Sequence, residues 1–157
     1  MANDLTSLLK GGVILNSQSA ESRKQVLAAL ADALGNALGI ESRGILDSVL
    51  ERESLGSTGV GEGVAIPHAR IDGLEAPVGA FVRLHEGVDF DAIDGRPCDL
   101  IFMLLAPHSS GADHLRALAQ VSRTFRNADL RERLRRTQDV HDVQGVLCPS
   151  AAKANAA

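Results

Sequence analysis

Leu100-Ile-Phe-Met-Leu-Leu105 is a run of six apolar residues with no polar position among them. A strand with one face in water alternates apolar and polar residues, whereas an unbroken run is typical of a strand buried on both faces. The turn signal Asp94-Gly95 precedes the run, and Pro107 follows it. Because such a strand needs cover on both sides, we predict an α/β fold, a three-layer α/β/α sandwich with a mixed central sheet.

Two helices are predicted upstream of this run. A capping box that begins at Ser22 satisfies two free N–H groups, and the leucines after it recur at helical spacing until Gly39 provides a stop. A second helix is predicted from Ser42 to Arg52 or Glu53. Both helices carry an apolar stripe that must be buried, and the predicted sheet is the surface available to them.

The segment between these helices and the apolar run is rich in turn signals. Gly56–Gly63 reads GSTGVGEG and is predicted to be a loop, because its glycines permit conformations and close approaches that other residues do not. A short strand is predicted at Val64–Ile66, ended by Pro67-His68, and the next strand covers Val78–Leu84. These strands would pair beside the apolar run in the sheet.

Helices are also predicted downstream of the run. One covers Asp113–Thr124, and its inward-facing residues are predicted to be Leu115, Leu118, Ser122 and Phe125. Two short helices are predicted around Leu130–Leu134 and Val140–Val146. The chain shows no internal repeat and no linker, so we predict a single domain over residues 1–148 and a disordered, alanine-rich tail over 149–157.

The composition argues against several classes of protein. The chain of 157 residues has 16 Lys plus Arg against 20 Asp plus Glu, whereas a dedicated nucleic-acid binder is normally strongly basic. Cys98 and Cys148 are too few for a disulfide framework and lack zinc spacing. The chain does not start with a secretory signal, and its longest apolar run is far short of the roughly 20 residues that span a bilayer. We therefore expect a cytoplasmic protein without nucleic acid, membrane insertion, metal or cofactor.

Two of the five histidines stand in positions that favour chemistry. His68 follows a predicted strand beside the glycine-rich loop, and His114 lies where a loop enters a helix. If the two strand ends are neighbours, the imidazoles converge, and Arg52 and Glu62 could join them. A neutral imidazole is well suited to accept and release a phosphoryl group, whose oxygens arginine, a second imidazole and loop N–H groups can hold. Spacing alone specifies such a site only weakly.

Three longer stretches resemble a known family. Gly56-Ser-Thr-Gly-Val-Gly-Glu-Gly-Val-Ala-Ile-Pro-His68 is similar to the phosphorylation-site segment of the fructose/mannitol-type enzyme IIA domains of the bacterial phosphotransferase system. Val88-Asp-Phe-Asp-Ala-Ile-Asp-Gly-Arg-Pro-Cys-Asp-Leu-Ile-Phe-Met-Leu-Leu-Ala-Pro107 resembles the nitrogen-regulatory subclass. Asp113-His-Leu-Arg-Ala-Leu118 resembles the segment that carries the family's second histidine. The resemblance covers roughly residues 5 to 147.

The resemblance implies a role for each candidate residue. His68 would accept a phosphoryl group from the phosphohistidine of a carrier, either HPr or its nitrogen-branch counterpart NPr. His114 would be the partner imidazole, and Arg52 would stabilise the phosphate. Glu62 stands at a position that is acidic in mannitol-type members and commonly Asn in nitrogen-type ones. Ala69 stands where Gly is usual in the family, a departure that leaves the chemistry of the site intact.

The function implied is that of a regulatory phosphoryl carrier of the nitrogen branch, which forms a covalent phosphohistidine and signals by its phosphorylation state. In this family the regulatory targets are commonly a potassium transporter or a sensor kinase. One alternative is a sugar-specific enzyme IIA that passes the phosphoryl group to a IIB domain. Another is a binding module whose histidine site is vestigial.

Plainer interpretations of the same residues stay open from the sequence. His68 could cap a strand end, His114 could be a helix-entry residue, and Arg52 could neutralise the C-terminal end of its helix. Glu62 could be an exposed loop carboxylate. The six arginines between residues 123 and 136 could form a solvated helix face or a docking surface for an acidic partner.

Overall fold

The computed structural model describes residues 4–109 and 111–149. The helices in these ranges are α1 Thr6–Leu9, α2 Arg23–Leu38, α3 Ser42–Leu55, α4 Ala112–Arg126, α5 Ala128–Arg135 and α6 Val140–Leu147. The strands are β1 Val13–Ile14, β2 Gly59–Gly61, β3 Val64–Ala65, β4 His68–Ile71, β5 Val78–Val88 and β6 Cys98–Pro107. Residues 150–157 of the predicted tail lie outside the described residues.

The apolar run lies in β6, which is the central strand of a mixed sheet. β6 pairs antiparallel with β5 and parallel with both β3 and β4. β1 extends the sheet beyond β5 in parallel, and β2 adds an antiparallel strand beyond β3. The prediction of a mixed sheet with this run at its centre is therefore confirmed.

Successive side chains of β6 enter two different apolar cores. Ile101, Met103 and Leu105 pack with residues of α2 and α3 on one face of the sheet. Leu100, Phe102 and Leu104 pack with residues of α1, α4, α5 and α6 on the other face. All six side chains are fully buried, and burying each one fully stabilises the fold by about 1.5–3 kcal/mol. The three-layer α/β/α sandwich is confirmed, because each face of the sheet has its own helical layer.

The strand predicted at Val64–Ile66 is shorter than expected, and the prediction that strand structure ends at Pro67-His68 is wrong. β3 and β4 lie along the same side of β6, so that Val64 is opposite Leu100 and His68 is opposite Leu104. Pro67 lacks an N–H group, but its carbonyl accepts a hydrogen bond from the Leu104 amide at 2.9 Å. The pairing therefore resumes at His68, and the imidazole projects from the first residue of a strand.

Two other local predictions are corrected by the structure. The segment predicted as a loop contains β2, which pairs with β3 across a turn in which Glu62 has a φ of 59°. Leu115 was predicted to face inward on α4, but it is 64% exposed. The buried stripe of that helix instead runs through His114, Ala117 and Val121. The imidazole therefore takes the inward position that the sequence pattern had assigned to a leucine.

None of the helices within residues 4–109 and 111–149 is both long enough and apolar enough to cross a membrane.

Candidate functional site

A surface cleft of about 460 Å³ opens where α3, β4 and α4 meet. Three imidazoles and two guanidinium groups contribute to its lining, which consists of Ser48, Glu51, Arg52, Leu55, His68, Ala69, Arg70, His108 and His114. Three of the four residues singled out from the sequence, His68, His114 and Arg52, are thus brought together. The two guanidinium groups bring positive charge and hydrogen-bond donors to the cleft, partly offset by the carboxylate of Glu51, and such donors are what a phosphate-like anion requires.

The two ring nitrogens of His68 have different environments. Nδ1 lies 2.8 Å from the backbone carbonyl oxygen of Ile66. A carbonyl oxygen only accepts hydrogen bonds, so Nδ1 carries the proton, and Nε2 of the neutral ring holds the free electron pair. Burial, reinforced by the positive charge of Arg52, lowers the pKa of His68 against the opposing effects of the Ile66 carbonyl and Glu53. The ring is therefore kept neutral, and Nε2 is kept nucleophilic.

His114 places a second imidazole beside the first. Its ring centroid lies 5.7 Å from that of His68, with the two planes tilted by 49°. The residue is 7% exposed, and its Nδ1 atom is buried without a hydrogen-bond partner among the described residues. Burial, and secondarily the neighbouring His68 and Arg70, lower the pKa of His114. The cleft thus holds a neutral second ring with unfilled hydrogen-bonding capacity, which is costly to bury unless it serves the site.

Arg52 projects from the last turn of α3, where the helix ends at Leu55. Its Nη1 atom donates a hydrogen bond to the carbonyl oxygen of Gly56 at 2.8 Å, which fixes the guanidinium at the rim of the cleft. A guanidinium has five N–H donors in a planar fork, so most of them stay available for an anion. The charge of Arg52 is close enough to depress the pKa of His68, as noted above.

Two further basic side chains, those of Arg70 and His108, also line the cleft. Arg70 follows His68 by two positions on β4, so the two side chains project from the same side of the strand. This alternation would have identified Arg70 if β4 had been predicted as a strand. His108, which directly follows β6 at the start of the β6–α4 connection, lines the cleft, and its Nε2 atom lies 3.4 Å from the exposed carboxylate of Asp72.

Glu62 is the one candidate that the structure does not bring to the cleft. It occupies the turn between β2 and β3, and its carboxylate lies 2.9 Å from Arg96 and 3.9 Å from Arg131. It lines a separate depression of about 260 Å³ with residues of α4. This position agrees with the plainer interpretation of Glu62 as a carboxylate of an exposed turn.

The described residues contain no group of three or more His, Cys, Asp or Glu side chains that could hold a metal ion. Cys98 and Cys148 are free and buried. Burial raises the pKa of each thiol to about 11, so both stay protonated near neutral pH. Neither cysteine lines the histidine cleft.

Comparison with known proteins identifies the family. Residues 7–148 match the model of the phosphoenolpyruvate-dependent sugar phosphotransferase system EIIA 2 family. The chain belongs to this EIIA 2 family. The match spans every element of the sheet from β1 to β6 and all three elements that form the cleft.

Individual relatives within the EIIA 2 family favour the nitrogen-regulatory branch. The chain is 41% identical over 150 residues to a nitrogen regulatory protein of Bradyrhizobium diazoefficiens, covering 96% of this chain and 98% of the relative. The crystal structure of nitrogen regulatory protein IIA-Ntr from Neisseria meningitidis matches with a TM-score of 0.82 at 32% identity, over 91% of this chain and 98% of that one. A fructose-specific EIIA component of Haloferax volcanii is 47% identical, but only over 102 residues, 65% of this chain and 66% of the relative. The full-length similarity therefore supports the nitrogen-regulatory function over the sugar-specific alternative.

Proposed function

We propose that this EIIA 2 protein accepts a phosphoryl group on Nε2 of His68 and acts as a regulatory phosphoryl carrier. The observation that supports this most strongly is the hydrogen bond from Nδ1 of His68 to the Ile66 carbonyl, at 2.8 Å. It fixes the tautomer in which Nε2 is the nucleophile, on a ring whose pKa is lowered. Arg52 and His114 stand at the same cleft as hydrogen-bond donors for the incoming phosphoryl oxygens.

The transfer needs no cofactor, because a phosphohistidine of a carrier protein supplies the group. Nε2 of His68 attacks the phosphorus with its electron pair, and a new P–N bond forms as the P–N bond to the carrier's imidazole breaks. The departing electron pair stays on the carrier's nitrogen, while the Nδ1 proton of His68 remains on its bond to Ile66. The charge on the three equatorial oxygens is stabilised by Arg52 and His114, and most of the catalysis is positioning and electrostatic stabilisation.

The partners follow from the proposed transfer. The donor is a small HPr-like phosphocarrier, NPr in the nitrogen branch, and the protein signals by the fraction of its molecules that are phosphorylated. Its targets would be proteins that distinguish the two forms, such as a potassium transporter or a sensor kinase. Since the proposed donor is a carrier of the cytoplasm, we propose that the protein acts in the same compartment.

Mass spectrometry after incubation with phosphoenolpyruvate, the first enzyme of the system and the carrier tests this function. The wild-type protein should gain one phosphoryl group, which is lost in mild acid and kept in base because it is held by a P–N bond. His68→Ala should gain none, whereas a control variant at an exposed histidine, His141→Ala, should behave as wild type. A wild-type protein that stays unmodified would identify a vestigial site, and an acid-stable label would place the acceptor on a hydroxyl.

A further inference from the structure

A buried carboxylate lies behind the histidine cleft and does not line it. Glu53 is 7% exposed and belongs to the last turn of α3, next to Arg52. One carboxylate oxygen lies 3.1 Å from a guanidinium nitrogen of Arg23, and the other accepts a hydrogen bond from the hydroxyl of Thr58. A buried carboxylate is expensive unless both oxygens are satisfied. Both oxygens of Glu53 are satisfied here, by partners from α2 and from the segment that precedes β2.

Hydrogen bonds continue from this carboxylate to the nucleophilic ring. The side chain of Thr58, which is 5% exposed, donates to Glu53, and its backbone carbonyl accepts the amide N–H of Ile66 at 3.0 Å. The carbonyl of Ile66 in turn accepts the Nδ1 proton of His68 at 2.8 Å. Glu53 is therefore connected through two residues to the atom that sets the tautomer of the imidazole.

The same carboxylate also holds the end of α3 that presents Arg52. Glu53 is fixed by Arg23 and Thr58, and the Gly56 carbonyl that accepts the hydrogen bond of Arg52 lies three residues further along the chain. The nucleophile and the cation of the cleft are thus held against one common anchor. The negative charge of Glu53 also acts on the ring, because it opposes the lowering of the pKa of His68 by Arg52.

We infer that Glu53 is a positioning residue for phosphoryl transfer, acting through Thr58 and Ile66 to keep Nδ1 of His68 protonated and Nε2 free. This inference rests on the proposed function of His68. Glu53 and Thr58 do not contact the phosphoryl group. They act on the orientation and the tautomer of the His68 imidazole. Groups that orient metal-bound imidazoles through hydrogen bonds change metal affinity or activity by about 10–100-fold when they are altered, and we expect an effect at the lower end of that range for His68.

Imidazole NMR spectra of the unphosphorylated protein, recorded with isotope-labelled histidine, test this inference without reference to activity. The wild-type spectrum should show His68 as the Nδ1–H tautomer. In Thr58→Val the hydroxyl is lost with little change in volume, and a substantial population of the Nε2–H tautomer should appear. Glu53→Gln keeps the shape of the side chain but removes the negative charge that pairs with Arg23. It should likewise raise the population of the Nε2–H tautomer of His68. Thr58→Ser keeps the hydroxyl and should restore the wild-type spectrum.

Transfer rates on the same variants complete the test. Thr58→Val and Glu53→Gln should accept the phosphoryl group about tenfold more slowly than wild type, and Thr58→Ser should recover most of that loss. The matched control is Asp91→Asn, which alters the exposed carboxylate on the other guanidinium nitrogen of Arg23 and should change neither readout. If Glu53→Gln fails to fold, the comparison of Thr58→Val with Thr58→Ser still tests the inference through the His68 tautomer and the transfer rate.

The inference is overturned if the tautomer of His68 is the same in Thr58→Val and wild type, or if the tautomer shifts and the rate does not. A wild-type protein that shows the Nδ1–H tautomer and accepts no phosphoryl group would refute the proposed function instead. The two failures are therefore distinguishable.

Discussion

At the scale of single residues, the chemistry of the site depends on how His68 and His114 are kept neutral. Burial is the largest cause of the lowered pKa of both rings. The charge of Arg52 adds to it at His68, against the opposing effects of the Ile66 carbonyl and Glu53, and His68 and Arg70 add to it at His114. A neutral imidazole is the nucleophilic form, so burial that costs stability also prepares the site. In the proposed transfer, the hydrogen bond from Nδ1 to the Ile66 carbonyl leaves Nε2 as the reacting nitrogen. None of these features is visible in the identity of the residues alone.

The lowered pKa of these two histidines predicts how stability depends on pH. Below the ordinary histidine pKa of 6.5 the unfolded chain takes up protons that the folded rings do not bind. The free energy of unfolding should therefore fall as the pH decreases from 6.5 towards the pKa values of the folded state. Well above pH 6.5 these two histidines should not make the free energy of unfolding depend on pH. Urea unfolding measured at a series of pH values checks this expectation.

Two variants identify the residues responsible for that slope. His114→Gln removes one of the two rings whose pKa is lowered by burial, so the free energy of unfolding should fall less steeply with decreasing pH. His141→Gln, at an exposed position, should leave this pH dependence as in wild type. An equal decline in wild type and His114→Gln would show that this ring does not titrate differently on folding.

At the scale of secondary-structure elements, the sequence predicted most helices and the central strand, because their apolar periodicity is strong. It missed β4, because a strand of four residues that directly follows a proline carries no periodic signal. It also assigned Leu115 to the inside of α4, because hydrophobicity alone favours a leucine over His114 for a buried position. The convergence that the sequence allowed, if the strand ends were neighbours, is found for three of the four candidate residues, which line one cleft, while their roles stay predictions. Glu62 lies away from the cleft because it occupies the turn between β2 and β3. The glycine-rich sequence predicts only a loop there.

Helix α3 delivers Arg52 to the cleft at its C-terminal end, and this placement predicts a specific loss of rate. Arg52→Gln removes the charge but keeps a polar side chain, and phosphoryl transfer to His68 should slow by about 10²–10³-fold because a preorganised donor is lost. Arg52→Lys should recover only part of the rate, because an ammonium cannot make two parallel hydrogen bonds. Rapid-quench transfer kinetics measure both effects.

Arg43 provides a matched control on the same helix. It is an exposed arginine in the first turn of α3, remote from the end that lines the cleft. Arg43→Gln should transfer at the wild-type rate. The transfer rate of Arg52→Gln could instead stay within about threefold of wild type, which corresponds to roughly 0.6 kcal/mol in the barrier. Arg52 would then stabilise the C-terminal end of α3 and take no part in the transfer.

At the scale of the whole molecule, the cleft draws on all three layers of the sandwich. Arg52 comes from the α2–α3 layer, His68 from the sheet, and His114 from the layer that contains α4. Their convergence depends on the register of β4 against β6, where His68 stands opposite Leu104 near the end of the central strand. Sequence patterns predicted the layers but not this register, because no local signal encodes how three separate elements meet. The long motifs that resemble the enzyme IIA family implied that His68, His114 and Arg52 act in one site, without giving the register of the strands.

In the proposed function, the fold presents Nε2 of His68 as the phosphoryl acceptor. The most direct test is the phosphorus–nitrogen scalar coupling in phosphorylated protein that carries isotope-labelled histidine. The structure predicts coupling of the phosphorus to Nε2 of His68 while Nδ1 of the same ring remains protonated on the Ile66 carbonyl. Coupling to Nδ1 of His68, or to either nitrogen of His114, would contradict it.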